Sequence, residues 1–231
     1  MNLIGIDFED WYHPELVKKF VKDKKHEPIM FKGLDKIIEL LRKNDTQATF
    51  FVVGELIKKN PEILDKILEN DHEVGFHTMY HDRIDSIEYK EKFNDEIKQF
   101  AELTNKRSKG FRAPTFSLNS DSSWIIEKLV ENDYLYDSSV VPAKLDLYGI
   151  PDAEHKPYRI SAKSLENNSE DSKLLEFPLL VTKFLGKKIP AGGGFYLRTL
   201  PSRIFQKSIK EYNKKDKPAI MYIHSWELTP E

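Results

Sequence analysis

The sequence contains no cysteine among its 231 residues, and this absence limits the chemistry available to the chain. Disulfide bridges and thiolate metal sites are excluded, so any metal ion would have to be bound by histidine and carboxylate side chains. Long apolar runs are also missing, and none approaches the roughly 20 residues that a membrane-spanning helix needs. The first residues lack the basic and apolar regions of a secretory signal peptide. We therefore expect a cytoplasmic location.

An excess of charge of one sign is also absent, because 36 basic residues are balanced by 38 acidic ones. The lysine-rich stretches, such as Lys187-Lys188 and Lys214-Lys215, are interrupted by acidic and apolar residues, and a solvated surface accounts for them. This balance gives no electrostatic reason to expect a nucleic-acid partner. No Pro/Gly/Ser-rich linker divides the chain, so we predict a single domain over residues 1–231. Nothing in the sequence predicts an oligomeric state.

Short apolar strands alternate with amphipathic helices along most of the chain. Residues 3–6 form an apolar run, residues 31–43 carry a helical apolar stripe, and residues 49–53 form a second buried strand. The strand–helix pattern repeats six or seven times. Such alternation is typical of an α/β protein with a parallel sheet, either open or closed into a barrel.

Polar side chains follow several of these strands at the point where the strand ends. They are Asp7, Asp10, His77, His81, Arg112, Asp137 and His224. In parallel barrels the reactive groups gather at the C-terminal ends of the strands. Packing alone would not require polar residues there, so the pattern predicts a functional site at that face.

A metal site is indicated by two histidines and an acidic motif. His77 and His81 are four residues apart, and on a helical turn both would project from the same face. The motif Asp7-Phe8-Glu9-Asp10 at the end of the first strand offers a carboxylate as third ligand. Two histidines and one carboxylate leave coordination positions open for water and substrate, which is the arrangement of a catalytic metal site.

With these motifs in this order, nearly the whole chain resembles the polysaccharide deacetylase family, also known as the NodB homology family or carbohydrate esterase family 4. The motifs are Asp7-Phe8-Glu9-Asp10, residues 48–54, His77-Thr78-x-x-His81, Arg112-Ala113-Pro114, Asp137 and Ile223-His224. Residues 192–198 and His224-Ser225-Trp226-Glu227 are similar to the branch associated with bacterial exopolysaccharide and surface-glycan synthesis. The resemblance implies a distorted (β/α)7 barrel and metal-dependent removal of acetyl groups from N-acetylated sugars.

The resemblance also implies a metal centre. One divalent ion would be bound by His77, His81 and a carboxylate, for which we favour Asp10. Zinc is the favoured metal, with cobalt, nickel and manganese as alternatives. Most of the family has two adjacent aspartates in the first motif, whereas here three acids share four positions. Asp7 is the favoured general base, and Glu9 could take either role.

Proton transfer and substrate binding are assigned through the same resemblance. Arg112 would orient the base, and Asp137 would pair with His224, which would act as the general acid. Five further residues are candidates for substrate contact: Glu9, Trp11, Thr115, Arg198 and Trp226. Thr115 follows the Arg-x-Pro motif at a position where the family often has an aromatic residue. The backbone N–H there could still help to bind an oxyanion, because that role needs no particular side chain.

Two other functions fit the same sequence. The chain could be a glycan-binding module whose catalytic centre has decayed, although the full set of candidate residues argues against this. It could also be a metal-dependent amidohydrolase for a small amide, if the polar segment 143–171 and the glycine-rich loop at residues 190–194 narrow the pocket. A groove open at both ends would favour a glycan, and a closed pocket would favour a small amide.

Overall fold

The structure is a computed structural model, and it describes residues 1–18, 20–21 and 28–229. The strands in this part of the chain are β1 (Leu3–Phe8), β2 (Thr49–Val52), β3 (Glu73–Phe76), β4 (Gly110–Phe111), β5 (Tyr136–Asp137), β6 (Tyr158–Arg159), β7 (Leu175–Glu176), β8 (Val181–Phe184), β9 (Lys187–Pro190) and β10 (Ile220–His224). The helices are α1 (Glu15–Lys18), α2 (Met30–Lys43), α3 (Gly54–Lys59), α4 (Glu62–Leu68), α5 (Ile87–Leu103), α6 (Ile125–Glu131), α7 (Gly194–Thr199) and α8 (Ser202–Asn213). Short 3-10 turns occupy Pro114–Phe116, Ser120–Ser122 and Ser225–Leu228.

The main sheet follows the order β10-β1-β2-β3-β4-β5-β7-β6 within the described residues. Every neighbouring pair is parallel except β6 and β7, which are antiparallel. The predicted α/β class with a parallel sheet is therefore confirmed. The single domain over residues 1–231 stays a prediction.

The sheet curls into a half-barrel whose two edges are linked by single backbone contacts instead of a strand ladder. The N–H of Leu180 donates to the carbonyl of Ile220 on β10 at 2.9 Å, and the N–H of Tyr222 donates to Gly192 at 2.6 Å. Leu180 follows β7 closely in the chain, so this segment crosses the gap between the two ends of the parallel sheet. The curl brings the C-terminal ends of distant strands towards one another.

Phenylalanine side chains fill much of the space between the sheet and the helices. Phe76 of β3 is fully buried and its ring lies 4.5 Å from Phe100 of α5 and 5.7 Å from Phe111 of β4. The predicted apolar stripe of α2 is buried in the same core. Each such side chain contributes on the order of 1.5–3 kcal/mol when it leaves water. This packing fixes the strands whose ends carry the polar residues.

Three elements of the structure were not predicted from the sequence. Gly54, which directly follows the predicted strand of residues 49–53, begins helix α3, and the segment before the glycine-rich loop contains the β8–β9 hairpin. The polar segment 143–171 contributes the short strand β6 to the sheet edge. These elements are too short to give a clear hydrophobic period. Across the residues that the structure describes, no helix combines the length and the apolarity needed to cross a membrane.

Candidate active site

The first acidic residue of the motif stands beside the last strand of the sheet. Asp7 on β1 lies opposite His224 on β10 and opposite Phe51 on β2 in the parallel register. Its side chain is buried. The sheet topology thus places the candidate base and the candidate acid on adjacent strands, although 217 positions separate them in the chain.

Glu9, His77 and His81 form a buried cluster whose possible ligand atoms all lie within 4.8 Å of one another. His81 Nε2 is 2.6 Å from Glu9 Oε2, and the two imidazole rings are 5.1 Å apart. Burial opposes the charge of Glu9, but His81, His224 and His77 outweigh it, so the pKa of Glu9 lies well below its usual range. The cluster is therefore a carboxylate and two imidazoles, a donor set that suits a divalent transition metal.

The tautomer of His77 is set by its hydrogen bond to the backbone. Its Nδ1 lies 2.7 Å from the carbonyl oxygen of Arg112, which can only accept, so Nδ1 carries the hydrogen. Nε2 then keeps its lone pair. Burial is the main cause that lowers the pKa of His77, to about 4, so the ring is neutral at neutral pH. A neutral imidazole in one fixed tautomer is the form that binds metals.

The segment from His77 to His81 is a loop, so the prediction that both histidines lie on a helical turn is wrong. Thr78 and His81 have left-handed backbone angles, with φ of 57° and 56°. The carbonyls of Thr78 and Met79 accept from the N–H groups of Gly54 and Glu55 at 3.0 and 2.9 Å. These bonds to the start of α3 fix the position of the loop. The left-handed backbone at Thr78 and His81 turns the chain so that the two imidazole rings lie close together.

Asp10, the predicted carboxylate ligand, lies outside this cluster, and Glu9 stands in its place. Oδ1 of Asp10 accepts from the N–H of Trp11 at 2.9 Å, and Oδ2 accepts from Ile29 at 3.0 Å and Met30 at 3.4 Å. Burial raises the pKa of Asp10, although these N–H groups favour its charge. Glu9 and Asp10 lie just beyond the end of β1, and the backbone N–H groups that bind both oxygens of Asp10 hold its carboxylate away from the histidines. Asp10 instead fixes the beginning of α2.

Arg112 connects the cluster to Asp7. Its Nη1 donates to Asp7 Oδ1 at 2.7 Å, and its Nε and Nη2 donate to the carbonyl and hydroxyl of Ser138 at 3.0 and 2.9 Å. The guanidinium lies 4.1 Å from the ring centroid of Phe51. A Cβ on Gly5 would lie only 2.5 Å from Nη1, so glycine is needed for this close approach. The buried charge is thus paired, hydrogen-bonded and fixed in position.

Asp137 was predicted to pair with His224, and the structure gives it other partners. Asp137 lies in register with Glu176 on β7 and accepts from Ser139 Oγ at 2.5 Å. Both carboxyl groups are fully buried. Burial raises the pKa of Asp137 to about 6, and burial together with the charge of Asp137 raises the pKa of Glu176 well above its usual value. Two adjacent acids in a dry environment favour a shared proton.

Glu227 is the carboxylate partner of His224, although no role is predicted for it from the sequence. Its Oε1 lies 3.0 Å from His224 Nδ1, and its Oε2 accepts from the backbone N–H of His224 at 3.3 Å. Burial disfavours the imidazolium, but the bond to Glu227 and the charges of Glu9 and Asp7 outweigh it, raising the pKa of His224 to about 9. The His-x-x-Glu spacing was the available signal, since a turn after the strand brings these positions together.

Two of the predicted substrate residues lie beside His224. The ring of Trp226 stacks on His224 at 5.0 Å, and its Nε1 donates to Glu9 Oε1 at 3.4 Å. Arg198 lies 3.6 Å from Glu227, and its guanidinium is 6.0 Å from the Trp226 ring. The predicted substrate residue Glu9 lies in the buried cluster instead.

The other two substrate candidates occupy turns next to the site. Trp11 is half-buried after Asp10, with its ring edge-on to Tyr12 at 5.9 Å. Thr115 lies in the 3-10 turn after Arg112 with a left-handed φ of 54°. Their roles in substrate contact stay predictions.

Two family profiles match the chain. The polysaccharide deacetylase profile matches residues 31–130, and a domain of unknown function, DUF3473, matches residues 138–231. A peptidoglycan-N-acetylglucosamine deacetylase of Bacillus cereus is 35% identical over 86 residues, which are 36% of this chain and 40% of that protein. The peptidoglycan-N-acetylglucosamine deacetylase PgdA of Listeria monocytogenes is 23% identical over 177 residues, 71% of this chain and 38% of that protein. The aligned regions thus span about two-fifths of these relatives.

The fold has relatives among solved structures. The crystal structure described as a putative polysaccharide deacetylase from Mycobacterium smegmatis aligns with a TM-score of 0.62 at 16% identity, covering 99% of this chain and 79% of that chain. At this identity the likeness concerns the fold alone. The profile match over residues 31–130 and the curated relatives agree with it, and together they support a NodB-type polysaccharide deacetylase. The predicted NodB-type fold is thereby confirmed.

Proposed function

We propose that this protein is a metal-dependent hydrolase that removes N-acetyl groups from N-acetylated sugars of a bacterial polysaccharide or its precursor. One observation carries the proposal: a buried carboxylate–imidazole cluster lies beside a histidine held by glutamate, and that histidine is opposite a carboxylate held by arginine. The family supports it, since two relatives are named peptidoglycan-N-acetylglucosamine deacetylases. The predicted link to exopolysaccharide and the cytoplasmic location both stay predictions.

Glu9, His77 and His81 would hold one divalent metal, with zinc favoured. The residues fit such an ion. Within the described part of the chain, buried Glu9 Oε2 makes no hydrogen bond of good geometry despite its 2.6 Å distance from His81 Nε2, and Nδ1 of His81 has no hydrogen-bond partner. Glu9 replaces Asp10 in this assignment. When bound, the metal supplies Lewis acidity that polarises the acetyl carbonyl and lowers the pKa of water.

Asp7 is placed to act as the general base. Arg112 binds Oδ1 and holds the carboxylate in position, so Oδ2 would accept the proton that the attacking water loses. Water then adds to the acetyl carbon, and the charge develops on the carbonyl oxygen.

His224 is placed to act as the general acid. The C–N bond breaks only if nitrogen receives a proton, because an amide anion is a poor leaving group. Nδ1 of His224 donates to Glu227, which leaves Nε2 as the atom that delivers the proton to the departing amine. Stacking on Trp226 fixes the plane of the ring. Glu227 therefore takes the positioning role that was predicted for Asp137.

Arg198 and Trp226 are the predicted substrate residues that lie nearest to the acid. The exposed part of an indole face suits the apolar C–H face of a sugar ring, and a guanidinium donates to hydroxyl or carbonyl oxygens. We assign them to sugar binding on the His224 side. A decayed glycan-binding module would not need the buried catalytic groups to converge, so their arrangement favours the hydrolase.

The activity is tested by acetate release from oligomers of N-acetylglucosamine. We expect chelator to abolish release, divalent metal to restore it, and a His77→Ala, His81→Ala double variant to lose both metal and activity. A His155→Gln variant serves as the control, because His155 lies outside the cluster. Acetate release from a small amide but not from any oligomer would support the amidohydrolase instead. Bound glycan without acetate release would support the decayed module.

The partner of the acid is tested by the ratio of amide to aryl-acetate hydrolysis. Aryl leaving groups depart without protonation, so Glu227→Gln should lower amide hydrolysis by at least tenfold more than aryl-acetate hydrolysis, within the range that general acids contribute. Asp137→Asn should leave the ratio unchanged. If Asp137→Asn lowered the ratio and Glu227→Gln left it unchanged, Asp137 would be the partner of His224.

A further inference from the structure

One segment of the chain carries a large excess of basic over acidic residues. Residues 181–217 contain ten lysines and arginines against two acidic residues, a net charge of +8 in a chain whose total is −2. This segment includes the β8–β9 hairpin and α8. The solvated surface that the sequence suggested is thus strongly positive in this region.

The hairpin and α8 enclose a cavity of about 430 Å³. Four lysines line it, namely Lys183, Lys188, Lys207 and Lys215, and Glu211 is the one acidic residue in the lining. Lys207 pairs with Glu211 at 3.7 Å, and Lys188 donates to the carbonyl of Pro151 at 2.9 Å. The cavity therefore presents more positive charge than its own carboxylate can balance.

The floor of this cavity is hydrogen-bonded and uncharged. The N–H of Val181 donates to the hydroxyl of Tyr212 at 3.3 Å, and the same hydroxyl oxygen lies at hydrogen-bond distance from Nδ1 of His155, at 2.9 Å. Burial and the nearby charges of Lys188 and Lys217 hold the pKa of His155 below its ordinary value. A neutral, hydrogen-bonded floor with cations around it is suited to an anion such as a phosphate group.

The tip of the same hairpin is apolar and faces solvent. Leu185 is 88% exposed, and its φ of 48° is a conformation that a bulky side chain rarely adopts. It is followed by Gly186 and flanked by Lys183, Lys187 and Lys188. A turn of this kind normally favours asparagine and glycine. An exposed leucine gains no free energy from a hydrated polyanion, but it does from the acyl region of a bilayer.

We propose that the β8–β9 hairpin and α8 form a docking surface for a membrane containing anionic lipid, in which the lysine-lined cavity receives a phosphate headgroup and Leu185 inserts between acyl chains. The combination of cationic pocket and apolar tip favours a bilayer over a nucleic acid or an acidic polysaccharide. The proposal concerns a surface separate from the cluster of Glu9, His77 and His81 and does not depend on the proposed function.

The proposal is tested by sedimentation with vesicles. We expect the full chain to bind vesicles of phosphatidylcholine mixed with phosphatidylglycerol, to bind phosphatidylcholine vesicles far more weakly, and to dissociate as salt is added. A Lys183→Gln, Lys207→Gln, Lys215→Gln variant should bind on the order of 100-fold more weakly, since each lysine near an anionic surface contributes about fivefold. Leu185→Ser should weaken binding by about tenfold or more.

A matched control removes three exposed lysines elsewhere, with Lys92→Gln, Lys98→Gln and Lys163→Gln. The control should retain most of the binding, and all variants should keep their thermal midpoints and acetate release. If the control lost as much vesicle binding as the test variant, binding would depend on net charge alone, and the proposal would be overturned. Failure of the wild type to bind anionic vesicles would overturn it as well. Tight binding to soluble polygalacturonate with no effect of Leu185→Ser would assign the surface to an acidic polysaccharide instead.

Discussion

Glu9 and Asp10 are adjacent acids with different surroundings, and substitutions should separate their roles. Asp10→Ala removes the acceptor of three backbone N–H groups at 2.9, 3.0 and 3.4 Å. A buried donor left without a partner costs on the order of 1–3 kcal/mol, and the longest bond contributes least. We expect a total loss of about 3 kcal/mol in the free energy of unfolding. For a chain of this size that corresponds to a fall of about 6–12 °C in thermal midpoint.

The metal content should respond in the opposite way. Glu9→Gln replaces a carboxylate in the cluster with a weakly coordinating amide, so the metal content should fall from about one equivalent to a small fraction of that. Asp10→Ala should keep about one equivalent at a temperature where it remains folded. Asp10→Asn retains one oxygen acceptor and should lose only about 1 kcal/mol, which makes it the matched control.

The assay combines calorimetry of the metal-free protein with elemental analysis after metal loading and gel filtration. The assignment requires that the two readouts separate: stability follows Asp10, and metal content follows Glu9. If Asp10→Asn empties the site while Glu9→Gln retains the metal, the roles must be exchanged. In that case the Asp10 carboxylate would leave its hydrogen bonds to the backbone N–H groups when the metal binds.

Two further predictions concern groups that surround the site. Burial raises the pKa of Asp137 to about 6 and that of Glu176 well above its usual value, so the stability contributed by their protons is present at about pH 4 and is lost as the pH rises through these values. In urea unfolding, the free energy of unfolding of Glu176→Gln should therefore rise relative to that of the wild type by about 1–3 kcal/mol as the pH increases from about 4.5 to about 8. A difference between the two proteins that does not change with pH would contradict the shared-proton arrangement. Gly5→Ala should displace Arg112 from Asp7 and lower acetate release by at least tenfold with metal content unchanged, because a Cβ would lie 2.5 Å from the guanidinium. Full activity in that variant would show that catalysis does not depend on Arg112 in this position.

The strand–helix alternation and the polar residues at strand ends could be predicted from the sequence alone. Apolar runs such as residues 3–6 and the helical stripe of residues 31–43 are local patterns, and local patterns fix the type of each element. The C-terminal ends of parallel strands meet at one edge, so the positions of Asp7, Arg112 and His224 in the strand pattern are enough to predict that they converge. The lack of cysteine further limited the possible metal ligands.

Only the tertiary structure decided which partner each polar group takes. Glu9 and Asp10 differ by one position, and the side of the chain on which each carboxylate lies depends on the path of the backbone after β1. His224 could have paired with a carboxylate from any neighbouring strand, but the turn after β10 brings Glu227 to it, while Asp137 meets Glu176 across β5 and β7. These choices depend on contacts between residues far apart in the chain, and such contacts leave no periodic signal in the sequence.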